Sequence, residues 1–161
     1  MSRSTLRRCT LSAAVVMALA APAAAGQAEA TLSAINGARA EAGCPALVLN
    51  PQLNAAARNH ARAMAEQDFF GHAGRDGSRL GNRIKRQGYS YRSAAENIAA
   101  GQSSVTQVVR GWLQSAGHRR NILNCGMRET GIAVVYEADD RPLRGSSYPL
   151  RYYWVQVFAA P

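Results

Sequence analysis

The hydrophobic period of this chain changes once, and that change limits the folds open to it. Up to Cys125 apolar residues recur at helical spacing, whereas beyond it Ile132, Val134 and Tyr136 alternate with Gly131, Ala133 and Val135, the period of a strand. Tyr152 to Phe158 supplies a second strand, rich in aromatic residues that suit a pleated surface. Asp139 to Pro142 and Gly145-Ser146-Ser147 make the connecting loop. Helices first and a strand pair last do not fit alternating βα units. They predict an α+β fold in which helices cover a small antiparallel sheet.

Four helices are predicted ahead of the change. Thr31 caps the first, which turns Leu32, Ile35, Ala38 and Ala42 inward and ends at Gly43 and Pro45. Leu47-Val48-Leu49 reads as one early short strand, and Asn50-Pro51 opens the second helix with proline at its first position. Leu53, Ala57, His60 and Met64 share a face of that helix, so His60 reads as a packed, hydrogen-bonded residue rather than a ligand. A third, shorter helix starts at Ser78, buries Leu80 and Ile84, and stops at Gly88. Ser103 or Ser104 caps the fourth, which carries Val105, Val108, Val109 and Trp112 on one face. Ser115 to Leu123 reads as a polar break beyond its end.

The first residues stand apart from the fold. Arg3, Arg7 and Arg8 precede the short apolar run Leu11–Ala21, and Pro22-Ala23-Ala24-Ala25 offers a small-residue cleavage pattern. This reads as a signal peptide over residues 1–25, with cleavage after Ala30 as the alternative. An uncleaved anchor is the competing reading, but the run falls short of the roughly 20 apolar residues a membrane span requires. Residues 31–161 are expected to form one domain, since a mature chain of about 135 residues is of ordinary domain size and no linker or repeat divides it. The protein is expected to be exported, to the medium, the periplasm or the cell envelope, as a monomer without a transmembrane anchor.

Export bears on the cysteines and on the charge. Cys9 leaves with the signal, and Cys44 and Cys125 remain to form one disulfide, two buried free thiols being the alternative. The formal charge of +9 falls to +6 once Arg3, Arg7 and Arg8 are removed. An acidic polymer or anionic lipid would suit that balance. The arginines are scattered apart from Arg119-Arg120, and no basic stripe with interleaved aromatic residues appears, so nucleic acid is not expected as a partner.

Three side chains suit acid–base or metal chemistry: His72 in a glycine-rich loop, Glu96 within Ala94-Ala95-Glu96-Asn97-Ile98, and His118 in the polar break. Two imidazoles and a carboxylate with a water in the open position are a minimal set for zinc or a similar divalent ion. They equally suit a buried hydrogen-bonded network that ties loops to helices. No H-E-x-x-H, no G-x-S-x-G and no cysteine free to act as nucleophile is present.

The order and spacing of several segments carry a resemblance. Leu53-Asn-Ala-Ala-Ala57, Phe69-Phe-Gly-His72, Asp76-Gly77, Arg83-Ile84 with Gly88-Tyr89, Ala95-Glu-Asn-Ile98, Trp112 with Ser115, Gly117-His-Arg119, Asn121-Ile-Leu123, Gly131 and Tyr153-Trp-Val-Gln-Val-Phe158 follow one another as they do in the CAP superfamily. That superfamily groups cysteine-rich secretory proteins, antigen 5 and plant pathogenesis-related proteins, and the chain is most similar to its bacterial exported, SCP-like branch. The resemblance implies a three-layer α-β-α sandwich over residues 31–161. It also implies a central cleft with two histidines and two acids, of which this chain matches His72, Glu96 and His118, with Asn97 beside them. The remaining acid position falls at Ser115, which removes a negative charge from the cleft and weakens support for a cation. Asp76 and Glu129 are the replacements to consider, though a turn role suits Asp76 beside Gly77.

Two functions follow as expectations. The first is a non-catalytic exported binding module whose His72, Glu96, His118, Ser115 and Asn97 cleft takes a lipid, a sterol or an envelope component. No cofactor is required for it, and zinc or another divalent ion is optional through His72, His118 and Glu96. The second is a metal-assisted extracytoplasmic hydrolase of peptidase type, in which Glu96 acts as the base.

Overall fold

In the computed structural model, which describes residues 21–161, the elements run α1 Ala21–Glu41, β1 Val48–Leu49, α2 Pro51–Glu66, α3 Leu80–Arg86, β2 Ser93–Ala100, α4 Val105–Gln114, α5 Ala116–Ile122, β3 Glu129–Tyr136 and β4 Tyr152–Ala160. The basic leader, Cys9 and most of the apolar run lie outside the described residues. Both cleavage points expected from the sequence fall within α1. Among the described residues no helix is long and apolar enough to cross a membrane.

The sheet has the order β1-β3-β4-β2. Its β3–β4 and β4–β2 ladders are antiparallel, and β1 adds a two-residue parallel pair to β3. The last strand is therefore central, and Tyr153 through Ala160 are all buried. On one face, Leu53, Ala57, Ala61 and Met64 of α2 and Ile84 of α3 pack against Ile98, Tyr153, Val155 and Val157. On the other, Ile35 of α1, Val108, Val109 and Trp112 of α4, and Ile122 of α5 pack against Trp154 and Phe158. The alternation of side chains along β4 divides the two cores and produces the three layers.

Local chemistry explains most element ends. Asn50 caps α2, its Oδ1 accepting from the Gln52 and Leu53 amides at 2.9 and 3.1 Å. Gly43 ends α1 in the left-handed region at φ +73°, with Gly43 N donating to Ala40 O and Cys44 N to Arg39 O. That Schellman-type turn aims Cys44 at Cys125, to which it is joined with a Cα separation of 4.8 Å. At Gly131 the backbone of α2 comes so close that a Cβ there would lie 2.0 Å from the carbonyl carbon of Leu53.

Two expectations are corrected and one strand is added that the sequence reading left unassigned. Thr31 is not a cap but sits inside α1, its Oγ1 donating to Gln27 O at 2.7 Å, because the alanine-rich stretch before it continues the helix. Residues 116–122 are a helix rather than a break: Ser115, at φ −86° and ψ 121°, interrupts the helical path for one residue only. Ala94–Ala100 forms part of strand β2, which neither its alanines nor its polar pair signals.

Candidate functional site

His72 stands in the loop between α2 and α3, and that loop is held from beneath. His60, buried on α2, places Nε2 2.9 Å from Gly71 O, so the ring donates there and stiffens the backbone just before His72. Burial holds the His60 imidazole below its ordinary value. Asp76 takes the turn role, its Oδ1 accepting from Ser78 N at 2.9 Å. From α3, Arg83 reaches back and donates through Nη1 to His72 O at 3.0 Å and to Ser78 O at 3.1 Å.

Arg83 also engages the carboxylate. Its Nη2 lies 2.8 Å from Glu96 Oε2, and His72 Nδ1 lies 2.8 Å from Glu96 Oε1. The Arg83 and Glu96 side chains are 7% and 3% exposed, whereas that of His72 is 60% exposed. Burial alone would raise the Glu96 carboxyl, but the His72 hydrogen bond and the Arg83 charge outweigh it and hold the group below the usual carboxylate range. The resulting order is guanidinium, carboxylate, imidazole. It presents His72 to the surface with its Nδ1 occupied and its Nε2 free, the arrangement by which carboxylates orient ligating or hydrogen-bonding histidines.

His118 comes from the opposite side. It lies on α5, whose position is set by Asn97: Asn97 Nδ2 donates to His118 O at 3.1 Å, and Asn97 Oδ1 accepts from Asn121 Nδ2 at 2.8 Å. Strand alternation turns Asn97 away from Glu96 to this second face, so it is fully buried beneath α5 and positions His118 rather than lining the cleft. Burial and the nearby His72 hold the His118 imidazole below its ordinary value.

His72 and His118 face a shared cleft of about 510 Å³. Ile98, Ala99 and Ala100 of β2 form its floor, Val108 and Trp112 of α4 one wall, and Phe70, 45% exposed, part of the rim. Ser115 lines the cleft at the α4–α5 junction, where the acid suggested by the resemblance is missing. Glu129 does not replace it, since it accepts from Tyr89 OH and Asn50 Nδ2 away from the cleft.

The donor set does not fit a three-ligand ion site. Among the described residues no group of three or more His, Cys, Asp or Glu side chains is arranged to hold a metal. Glu96 is turned toward Arg83 with both oxygens engaged, which leaves the two imidazoles as the donors facing the cleft. Arg83 was not singled out from the sequence as a site residue, yet its spacing carried a signal. With Leu80 and Ile84 it occupies the inward face of α3, an unusual place for a cation without a buried partner.

Residues 32–158 match the profile of the cysteine-rich secretory protein family. The chain belongs to the CAP family. It is 34% identical over 100 residues to the uncharacterized protein YkwD of Bacillus subtilis, a match covering 62% of this chain and 39% of that protein. An extracellular protein of Bacillus anthracis containing an SCP domain superposes with a TM-score of 0.72 at 25% identity, covering 86% of this chain and 41% of that one. An outer surface protein of Borrelia burgdorferi gives 0.71 at 20% identity, covering 82% and 90%. The match thus spans about two fifths of the curated Bacillus subtilis relative.

Proposed function

We propose that this CAP domain is an exported binding module whose cleft takes a small or extended ligand between His72 and His118. The observation that carries the reading is the pair of imidazoles set across an apolar cleft of about 510 Å³. A site of that volume with few, placed polar groups is the ordinary form of a ligand pocket. Export is supported by the basic leader with its small-residue cleavage pattern, and by the extracellular and outer-surface proteins that share the fold. The hydrolase alternative has less support. A carboxylate held below its ordinary range by the His72 hydrogen bond and the Arg83 guanidinium is a poor general base near neutral pH. With two imidazoles as its donors, ion binding is an accessory to ligand binding rather than its foundation.

The test is native mass spectrometry of the exported protein beside the His72→Ala, His118→Ala double variant. A bound ligand, small molecule or peptide, is expected on the wild type and absent from the variant, with unchanged circular dichroism for both. Zinc titrated calorimetrically should give heat only with the wild type. A bound molecule retained equally by a folded double variant refutes the assignment of the cleft.

A further inference from the structure

The floor of the cleft is the outer edge of a sheet. Strand β2 pairs with β4 on one side only, in the register Ile98↔Val155 and Ala100↔Tyr153. Gly101 N donates to Tyr152 O at 2.9 Å, which fixes the phase of the antiparallel ladder. Odd-numbered residues of β2 then spend their amides and carbonyls on β4, and Glu96, Ile98 and Ala100 turn theirs outward. Two side chains agree with this phase: Asn121 Nδ2 donates to Glu96 O, and Trp112 Nε1 to Ile98 O, each at 3.3 Å. Beyond those contacts the edge is open. Among the described residues nothing bonds the outward N–H of Ile98 or Ala100, or the outward C=O of Ala100.

These free groups discriminate between ligand classes. An acyl chain or a sterol laid on the floor would take water from two donors and an acceptor and return no hydrogen bond, a penalty for every group so covered. An extended polypeptide presents the complementary N–H and C=O groups at the spacing of a strand. Resting on the cleft reading above, we propose that the ligand is an extended peptide segment that adds to the Ile98–Ala100 edge of β2 as a fifth strand. Its alternate side chains point toward Phe70 and His72 on one side and toward Trp112 and His118 on the other. No carboxylate lines the cleft and the chain from Gly26 carries a net positive charge, so neutral or acidic peptides fit and basic ones do not.

A displayed library of short peptides, selected against the full exported chain, supplies the probe, which is then synthesised and N-methylated at one residue at a time. Strand addition predicts a period of two: methylation at every second residue weakens binding by about tenfold or more, and methylation between them has little effect. Bound peptide should also slow amide exchange at Ile98 and Ala100. Ala100→Pro removes one outward donor without touching the β4 ladder, and should weaken the same peptide while leaving the circular dichroism unchanged. A peptide that binds with uniform tolerance to N-methylation, or without protecting these amides, overturns strand addition. Failure to select any peptide, while the wild type still carries a small molecule lost in the His72 and His118 double variant, overturns it too but leaves the cleft reading standing. If neither a peptide nor a small molecule binds, both readings fall.

Discussion

Replacing Arg39 tests how the platform under His118 is held. The Arg39 side chain is fully buried on α1 and donates to four carbonyls: Nε to Pro45 O at 2.9 Å, Nη1 to Ile122 O at 2.6 Å and Asn124 O at 3.0 Å, and Nη2 to Met127 O at 3.1 Å. No acid pairs with it among the described residues, and apart from Pro45 O its partners are the carbonyl end of α5 and the turn that follows. Arg39→Met keeps the apolar stem and strands the carbonyls. The bonds to Ile122 O and Met127 O are fully buried, and losing them costs about 2 kcal/mol each, whereas water can reach the other two. Relief from burying a guanidinium returns part of that, leaving a net loss on the order of 3 kcal/mol. For a domain of this size the midpoint of thermal unfolding should fall by roughly 10 °C. Arg39→Lys, whose single ammonium cannot span the fork, should lose about half as much. Circular dichroism melts of the oxidised protein give the measurement. A shift below about 3 °C for Arg39→Met would refute the claim that these bonds secure α5.

Two other outcomes follow from the geometry. Gly131→Ala sets a Cβ against the backbone of α2, 2.0 Å from Leu53 C and 2.3 Å from Asn54 N, so helix and strand must separate. The loss should reach at least the upper end of the about 1–3 kcal/mol seen for overpacking, and a chemical denaturation curve that overlays the wild type would contradict it. Stability should also fall on the acid side. His60 and His118 titrate below their ordinary value in the fold, so as pH drops through about 6.5 the unfolded chain binds protons first and stability declines. Glu96, also held low, extends the decline as pH falls below about 4.3. Urea midpoints measured from neutral pH downward check the sign, and a midpoint that rises toward acid pH would reverse it.

How far the molecule was legible depended on whether a residue's role was local. Asn50-Pro51, Ser104 and Gly43 act within a few residues of themselves, and they lie at the element ends where their chemistry puts them. Helix α5 was hidden because Ile122 is its only buried residue, so it shows no apolar stripe, and its place is set by Asn97, Arg39 and the disulfide from elsewhere in the chain. Strand β2 was hidden for the converse reason. Ala94, Ala95, Ala99 and Ala100 have low strand propensity, yet lie between two helix layers. In the candidate site, His72 and Glu96 do come together, and His118 shares a cleft with His72 but not with Glu96. The sequence could not indicate that Arg83 would occupy Glu96 from within, since that pairing depends on α3 and β2 packing side by side.

The position of β4 has a consequence for how the domain is made. Every strand-to-strand contact beyond the two-residue β1 pair passes through this last element of the domain, which lies between β2 and β3. Until it is synthesised, β2 and β3 have no partner strand between them, and each helix layer lacks the β4 side chains, Tyr153, Val155 and Val157 on one face and Trp154 and Phe158 on the other, that its core is built around. Pairing of Ser93 with Ala160 must bridge about half of the domain's length, so folding waits on contacts distant in sequence and should be slow for a protein this size. A chain cut short before Tyr152 would therefore be a quality-control substrate, with two open sheet edges and both apolar cores incomplete.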